Sequence, residues 1–177
     1  PRLVVWAAWE GVEMTGTETI GRSREKEALP NELSGTPVAI PIVNVDGFVS
    51  QQRYLPDRRD LNRSFPGSPR GSLAGRVAHS FLTNFVEGCT HGIDLHTGAI
   101  HRTNLPQIRA RLTTPEIEGM ARAFGAPVII NASLRPGSLR GSAGDLKIPT
   151  LVYEAGEALR FDEVSIRAGL RGVMSVM

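Results

Sequence analysis

Short apolar runs rich in β-branched residues recur along the chain and are separated by longer amphipathic stretches. These runs predict six strands, at Leu3 to Ala8, Pro37 to Val43, Gly92 to His96, Leu105 to Arg109, Pro127 to Asn131 and Thr150 to Glu154. Consecutive apolar residues are typical of strands in a sheet that is covered on both faces. The pattern therefore favours a buried sheet.

Helical periodicity fills most of the chain between and after these runs. It predicts helices at Glu13 to Leu29, Ser72 to Val86, Pro115 to Phe124, Ser138 to Leu146 and Ile166 to Met177. The second helix begins at a serine cap, and the third has proline in its first turn and a glycine after its last residue. Strands that alternate with helices in this way predict an α/β domain with a largely parallel sheet.

Composition and charge limit the classes of partner. The 177 residues have a formal net charge of +2 and no basic stretch interleaved with aromatic residues, so we expect no nucleic-acid partner. Cys89 is the only cysteine, which excludes an intrachain disulfide and favours a reducing, cytoplasmic compartment. No apolar run approaches the roughly 20 residues that span a bilayer, so we expect no membrane partner either.

One long segment, 46–71, lacks periodicity and is rich in proline, glycine, arginine and aspartate. A loop of that length inside a compact domain is usually functional or disordered. Its arginines and its Asn62-Arg63 pair favour function, because guanidinium groups bind carboxylates or stabilise a developing oxyanion. The alternative interpretation is a solvated basic face.

Acidic and imidazole side chains collect after predicted strands. His96 ends the third run, and Asp94, two residues earlier, projects to the same face of its strand. This histidine is either a buried residue at a strand end or a metal or catalytic residue whose ring Asp94 orients. Glu10 and Glu13 follow the first strand and can converge on one point, although glutamates at a helix start also suit the helix dipole.

A further carboxylate closes the set of candidates. Glu154 lies where the last predicted strand delivers it to the edge of the sheet, a position suited to a general base. Glu157 follows that strand and is interpreted as a solvated charge in a loop.

Taken together, these segments resemble the succinylglutamate desuccinylase/aspartoacylase family of the zinc carboxypeptidase-like superfamily. The resemblance lies in Arg53 to Gly67, Asp94 to Gly98 and Tyr153 to Glu157, and Asn44 to Phe48 resembles the family's Asn-Pro-Asp-Gly turn. It covers nearly the whole chain in the right order. It implies a three-layer α/β fold with a mixed, mostly parallel central sheet and helices on both faces. It also implies a zinc hydrolase, a deacylase that cleaves the amide of a small N-acyl amino acid.

The resemblance assigns roles to four of these side chains. Glu154 would be the base that activates water, and Arg53 would polarise the scissile carbonyl group. Asn62 and Arg63 would hold the carboxylate of the substrate.

The first metal-binding motif departs from the family pattern. The family has His-Gly-x-Glu, whereas this chain has Glu10-Gly-Val-Glu13, so that Glu10 stands at the histidine position. The expected ligands are therefore Glu10, Glu13 and His96, around one Zn²⁺ ion. Two carboxylates and one imidazole form a harder set than two imidazoles and one carboxylate, which makes Mn²⁺ an alternative.

Two other functions remain open at this point, and so do the limits of the domain. The chain could be a metal-poor, catalytically weak homologue that binds carboxylates, or a carboxypeptidase. Family members are often oligomeric and usually carry a smaller β-rich domain after the catalytic core. We expect residues 1–177 to form a single catalytic α/β domain, truncated at the N-terminus and without that second domain.

Overall fold

A mixed six-stranded sheet forms the centre of the protein. The computed structural model describes residues 1–25 and 35–177. Its strands are β1 (Arg2–Ala7), β2 (Thr36–Ile40), β3 (His91–Gly98), β4 (Asn104–Ala110), β5 (Val128–Asn131) and β6 (Thr150–Glu157), in the order β2-β1-β3-β6-β4-β5. Neighbouring strands are parallel except β4 and β6, which are antiparallel. The six predicted strands and the mixed, mostly parallel sheet are confirmed.

The helices largely follow the predicted periodicity. They are α1 (Met14–Glu25), α2 (Val45–Ser50), α3 (Leu73–Phe81), α4 (Pro115–Phe124), α5 (Leu139–Asp145) and α6 (Glu163–Val176), with a 3₁₀ turn at Leu61–Arg63 and a π turn at Leu82–Val86. The Ser72 hydroxyl accepts a hydrogen bond from Gly75 N at the start of α3, as its predicted cap role requires. The prediction of helix beyond residue 25 falls outside the described residues. The segment 46–71, which was predicted to be irregular, includes most of α2.

Apolar layers cover both faces of the sheet. Along β1, Val4 and Trp6 point into one layer, whereas Val5 and Ala7 point into the other, as the two-residue period of a strand requires. The first layer packs against α3 and α5, and the second packs against α1, α4 and α6. Within the described residues, no helix is both long and apolar enough to cross a membrane.

The order of the strands brings three predicted site segments to one edge of the sheet. β1, β3 and β6 are parallel neighbours, so their carboxyl ends lie side by side. His96 pairs directly with Glu154 across β3 and β6. After β1 the backbone turns sharply, with positive φ angles of 58° at Ala8 and 64° at Gly11. A side chain at Gly11 would overlap the backbone of Gly47, so only glycine fits this turn.

Candidate metal centre and catalytic cleft

Three of the predicted site residues converge at the carboxyl end of the sheet. Glu10 and Glu13 follow β1, and His96 lies near the end of β3. Each offers a ligand atom, and these atoms lie within 4.8 Å of one another. Glu13 and His96 are buried, with relative exposures of 0% and 7%. This spacing suits a single ion held between two carboxylates and an imidazole.

The carboxylate of Glu13 has one buried oxygen that is suited to a cation. Its Oε2 atom accepts a hydrogen bond from Glu10 N at 3.2 Å. Its Oε1 atom lies 2.7 Å from His96 Nδ1, yet it is buried and accepts no hydrogen bond of acceptable geometry. Buried carboxylate oxygens are otherwise satisfied by donors or by metal ions. The residues present therefore fit a divalent ion.

The ring of His96 is held on its other side by a buried pair. Its Nε2 atom lies 2.9 Å from Asp94 Oδ2, and the other oxygen of Asp94 accepts a hydrogen bond from Trp9 Nε1 at 2.9 Å. Trp9 is 1% exposed and packs edge-on against Phe81 and Phe65. This arrangement directs His96 Nδ1 towards Glu13, which is the orientation that a metal ligand needs.

Burial and repulsion perturb the ionisation of these groups. Burial, followed by the neighbouring Glu13 carboxylate, raises the pKa of Glu10 to about 7. Burial likewise raises the pKa of Asp94. Burial alone would lower the pKa of His96, but the Asp94 and Glu13 carboxylates raise it well above its ordinary value. Three carboxylates crowd one imidazole, and a divalent cation would relieve that repulsion.

Arg53 lies at the rim of this cluster. Its Nη1 atom forms an ion pair with Glu10 Oε1, and its Nε and Nη2 atoms donate to Asp60 Oδ2 at 3.0 and 2.8 Å. Arg53 is therefore held between two carboxylates, and it is not among the described residues that line the adjoining cleft. The family resemblance implied that Arg53 polarises the scissile carbonyl group, and the pairing of Arg53 with Glu10 was not predicted.

A cleft of ≈ 260 Å³ opens beside the cluster and joins it to the other predicted residues. Glu10, His96, Asn62, Arg63 and Glu154 line it. Five predicted site residues thus share one cleft, while Glu13 lies beneath it and Arg53 beside it.

Glu154 is oriented by two side chains of β4. Its Oε2 atom accepts a hydrogen bond from Asn104 Nδ2 at 2.8 Å, and its Oε1 atom lies 3.5 Å from Arg109 Nη1. The side chain is 16% exposed and borders the cleft. A carboxylate held in this way can take up a proton from a water molecule in the cleft.

Asn62 and Arg63 differ in how they meet the cleft. The Asn62 side-chain oxygen accepts a hydrogen bond from Leu139 N at 3.1 Å and so fixes the start of α5. Arg63 is exposed, and its guanidinium contacts the Asn62 carbonyl oxygen. Arg63 is thus the freer of the two to bind a ligand, and Asn62 supports the wall beside it.

Three further arginines line the cleft and were missed as site residues: Arg109, Arg135 and Arg140. Arg140 Nη2 donates to Ser133 O at 2.8 Å, whereas Nη1 is buried without a partner among the described residues. Burial, and then the positive charge of Arg109, lower the pKa of Arg140. Two of the three follow β5, so the carboxyl-end rule could have identified them.

The interpretation of Glu157 as a solvated loop charge was wrong. Strand β6 extends to this residue, and its side chain is only 16% exposed. Its carboxylate accepts hydrogen bonds from His101 N at 2.9 Å and from Thr103 Oγ1 at 3.4 Å. Glu157 therefore fixes the turn between β3 and β4.

Known proteins share this fold and part of this sequence. N-alpha-acetyl-L-2,4-diaminobutyric acid deacetylase of Halomonas elongata is 31% identical over 106 residues, which are 56% of this chain and 31% of that protein. A succinylglutamate desuccinylase/aspartoacylase structure from Rhodobacter sphaeroides is 26% identical, with a TM-score of 0.86 over 99% of this chain and 53% of that chain. The product-bound ectoine utilization protein EutE of Ruegeria pomeroyi is 22% identical, with a TM-score of 0.88 over 99% of this chain and 56% of its own. At that identity it shows the fold alone.

The chain spans about half the length of these two structures and less than a third of the deacetylase. The sequence model of the succinylglutamate desuccinylase/aspartoacylase catalytic domain matches residues 1–177. Because this match extends over the whole chain, the protein belongs to the succinylglutamate desuccinylase/aspartoacylase catalytic-domain family.

Proposed function

We propose that residues 1–177 form the catalytic domain of a metal-dependent amidohydrolase that removes the acyl group from a small N-acyl amino acid. The observation that carries this proposal is the buried, unsatisfied Glu13 oxygen, which faces Glu10 and His96 at the edge of a cleft that also contains Glu154. Family membership supports the reaction class. Because the relatives are longer than this chain, we further propose that the complete protein carries additional segments.

Glu10, Glu13 and His96 would hold the metal. A bound Zn²⁺ or Mn²⁺ ion supplies a Lewis acid that lowers the pKa of a water molecule towards neutrality and polarises a carbonyl group. The two carboxylates make this set harder than one with two imidazoles and increase its relative preference for Mn²⁺. Asp94 faces Nε2 of His96 and would hold the ring proton there, which would leave Nδ1 as the ligand atom.

Glu154 acts as the proton carrier. It takes a proton from the attacking water and returns it to the nitrogen of the leaving amine, so that amide cleavage yields a carboxylate and a free amino acid. Asn104 and Arg109 fix its two oxygens, which keeps the carboxylate directed along one path.

Arginines explain why the substrate should carry a carboxylate. Arg63 is exposed and lines the cleft together with Arg109 and Arg140. Guanidinium groups bind carboxylates in a fixed geometry that ammonium groups do not reproduce. Arg63 binds the carboxylate of the amino acid, and Asn62 holds the wall from which Arg63 extends.

The test is hydrolysis by protein loaded with Zn²⁺ or Mn²⁺. N-acetyl and N-succinyl amino acids are compared with blocked dipeptides, and release of the free amino acid is measured. We expect cleavage of the N-acyl amino acids, loss of activity with a chelator and recovery when the metal is restored. Cleavage of blocked dipeptides alone would identify a carboxypeptidase instead. No cleavage of either class by metal-loaded protein would contradict the proposed reaction.

A second candidate function follows from the pairing of Glu10 with Arg53. If the guanidinium keeps Glu10 from the metal, the chain is a metal-poor homologue that binds carboxylates in its arginine-lined cleft. Metal content after loading separates the two candidates. A near-stoichiometric ion supports the enzyme, and its absence together with binding of N-acyl amino acids supports the binding protein.

A further inference from the structure

The Glu10 carboxylate faces two competing partners. On one side lie the ligand atoms of Glu13 and His96, within 4.8 Å of its own. On the other side lies the guanidinium of Arg53, in direct ion-pair contact with Glu10 Oε1. Glu13 differs from Glu10 in this respect, because its Oε1 atom is buried and accepts no hydrogen bond.

Arg53 cannot easily move away from Glu10, because Asp60 holds it from behind. Asp60 Oδ2 accepts from both Nε and Nη2 of Arg53. Asp60 is itself anchored, since its Oδ1 atom accepts from Asn62 N at 2.9 Å and its carbonyl oxygen accepts from Arg63 N at 3.1 Å. The positive charge of Arg53 is therefore a fixed part of the site.

A fixed guanidinium at this point opposes a cation. It neutralises one of the two carboxylates that would attract a divalent ion, and it occupies an oxygen that could serve as a ligand. It also places a like charge beside the ion in a partly buried setting, where screening is weak. A residue that hydrogen-bonds to a metal-ligating side chain usually strengthens metal binding instead, because it orients the ligand. Removal of such a residue weakens metal binding.

We infer that Arg53 competes with the metal ion for the Glu10 carboxylate and thereby lowers the affinity of this chain for the ion. Metal binding through Oε1 of Glu10 accordingly requires that this oxygen exchange its contact with Arg53 for a contact with the ion. That exchange frees Nη1 of Arg53 next to the cleft, so metal loading and the availability of this donor are coupled. The inference rests on the metal site of the proposed function.

The experiment is an equilibrium titration of the metal-free chain with Zn²⁺ and with Mn²⁺. Binding is measured by calorimetry and, independently, by competition with a metal indicator. The test variant is Arg53→Gln, which removes the charge but keeps an amide donor for Asp60. The matched control is Arg63→Gln, because Arg63 belongs to the same 46–71 segment as Arg53 but contacts only the carbonyl oxygen of its neighbour. Arg53→Met serves if the glutamine variant does not fold, as judged by circular dichroism.

We expect Arg53→Gln to bind Zn²⁺ about tenfold more tightly than the parent, a change of the size that partners of metal ligands produce. Arg63→Gln should bind Zn²⁺ as the parent does. In a Glu10→Gln background the gain from Arg53→Gln should disappear, because the competition acts through the Glu10 carboxylate. Equal or weaker binding by Arg53→Gln, or the same gain without the Glu10 carboxylate, would overturn the inference.

The titration also separates this inference from the proposed function. If the parent and Glu10→His bind metal but Arg53→Gln binds no more tightly, only the competition is wrong. If the parent, Arg53→Gln and Glu10→His all fail to bind Zn²⁺ and Mn²⁺, both the competition and the proposed metal site are wrong.

Discussion

The two walls of the cleft differ in how firmly their charged side chains are held. On the wall along β3, Asp94 and His96 are 2% and 7% exposed, and the His96 ring lies between the Asp94 and Glu13 carboxylates. On the wall formed by β4 and α5, the Arg109 side chain is 46% exposed, and Arg140 Nη1 has no partner in the described part of the chain. The acidic wall is thus arranged before any ligand arrives, whereas the basic wall keeps donors available for one.

Such a division suits a hydrolase that holds a resident cation and exchanges an anionic substrate. Side chains that hold a resident cation bind it more tightly when they are already ordered in the folded protein, because the entropy of ordering them is then lost during folding and not on binding. Exposed guanidinium groups suit a group that must also leave. Glu154 borders both walls, since it pairs with His96 through the sheet and contacts Arg109 through its side chain.

The largest expected effect comes from the residue between the walls. Glu154→Gln should bind metal as the parent does yet lower turnover by roughly 100-fold or more, since general-base catalysis contributes about that much. Glu157→Gln is the matched control, because Glu157 lies on the same strand but binds the β3–β4 turn. Turnover is measured on metal-loaded protein. Parent-like turnover in Glu154→Gln would remove this residue from the mechanism.

The next effect tests how the acidic wall is held. Trp9→Phe removes the indole donor to Asp94 and should weaken Zn²⁺ binding by about tenfold, as loss of an outer hydrogen bond typically does. Trp6→Phe is the control, because Trp6 is as deeply buried but its Nε1 atom has no hydrogen-bond partner among the described residues.

Denaturant unfolding of metal-free protein should separate the same two variants. Trp9→Phe should lose about 1.5–3 kcal/mol more of the free energy of unfolding than Trp6→Phe, the size of a hydrogen bond to a charged group. Equal metal affinities and equal stabilities of the two variants would show that Asp94 does not depend on Trp9.

The smallest expected effect is that of Arg63→Ala on the KM for the substrate. Arg63→Ala should raise KM for N-acyl amino acids by up to about tenfold with little change in kcat, because an interaction made equally in the ground and transition states acts on binding alone. Arg58→Ala is the control, because Arg58 belongs to the same loop but is not among the described residues lining the cleft. A loss in kcat alone would instead assign Arg63 to the chemical step.

The sequence predicted the sheet better than it predicted the contacts of the site. Apolar runs located all six strands, and the carboxyl-end rule brought His96 and Glu154 together because their strands are parallel neighbours. The hydrogen bond of Trp9 to Asp94 joins residues 85 positions apart and depends on the pairing of β1 with β3 in the sheet. Patterns along the chain do not carry that information.

The pairing of Arg53 with Glu10 could not be predicted for a related reason. It depends on the path of the loop after α2, which Asn44 fixes by capping that helix and by donating to Trp9 O at 3.1 Å. The β-bulge between His96 and Gly98 similarly determines where Glu157 meets β3. Residue types identified the groups that could act, and tertiary packing decided which groups are already engaged.

One measurement tests the central claim, that Glu10, Glu13 and His96 form a metal centre, more directly than any other. Glu10→His replaces a carboxylate by a neutral imidazole, which gives two nitrogen ligands and one carboxylate and removes the ion pair with Arg53. Zinc titration and deacylase turnover of this variant are measured beside those of the parent. We expect tighter zinc binding and faster turnover of N-acyl amino acids by the Glu10→His variant. Zinc binding no tighter than that of the parent would contradict the assignment of these three residues to a metal centre.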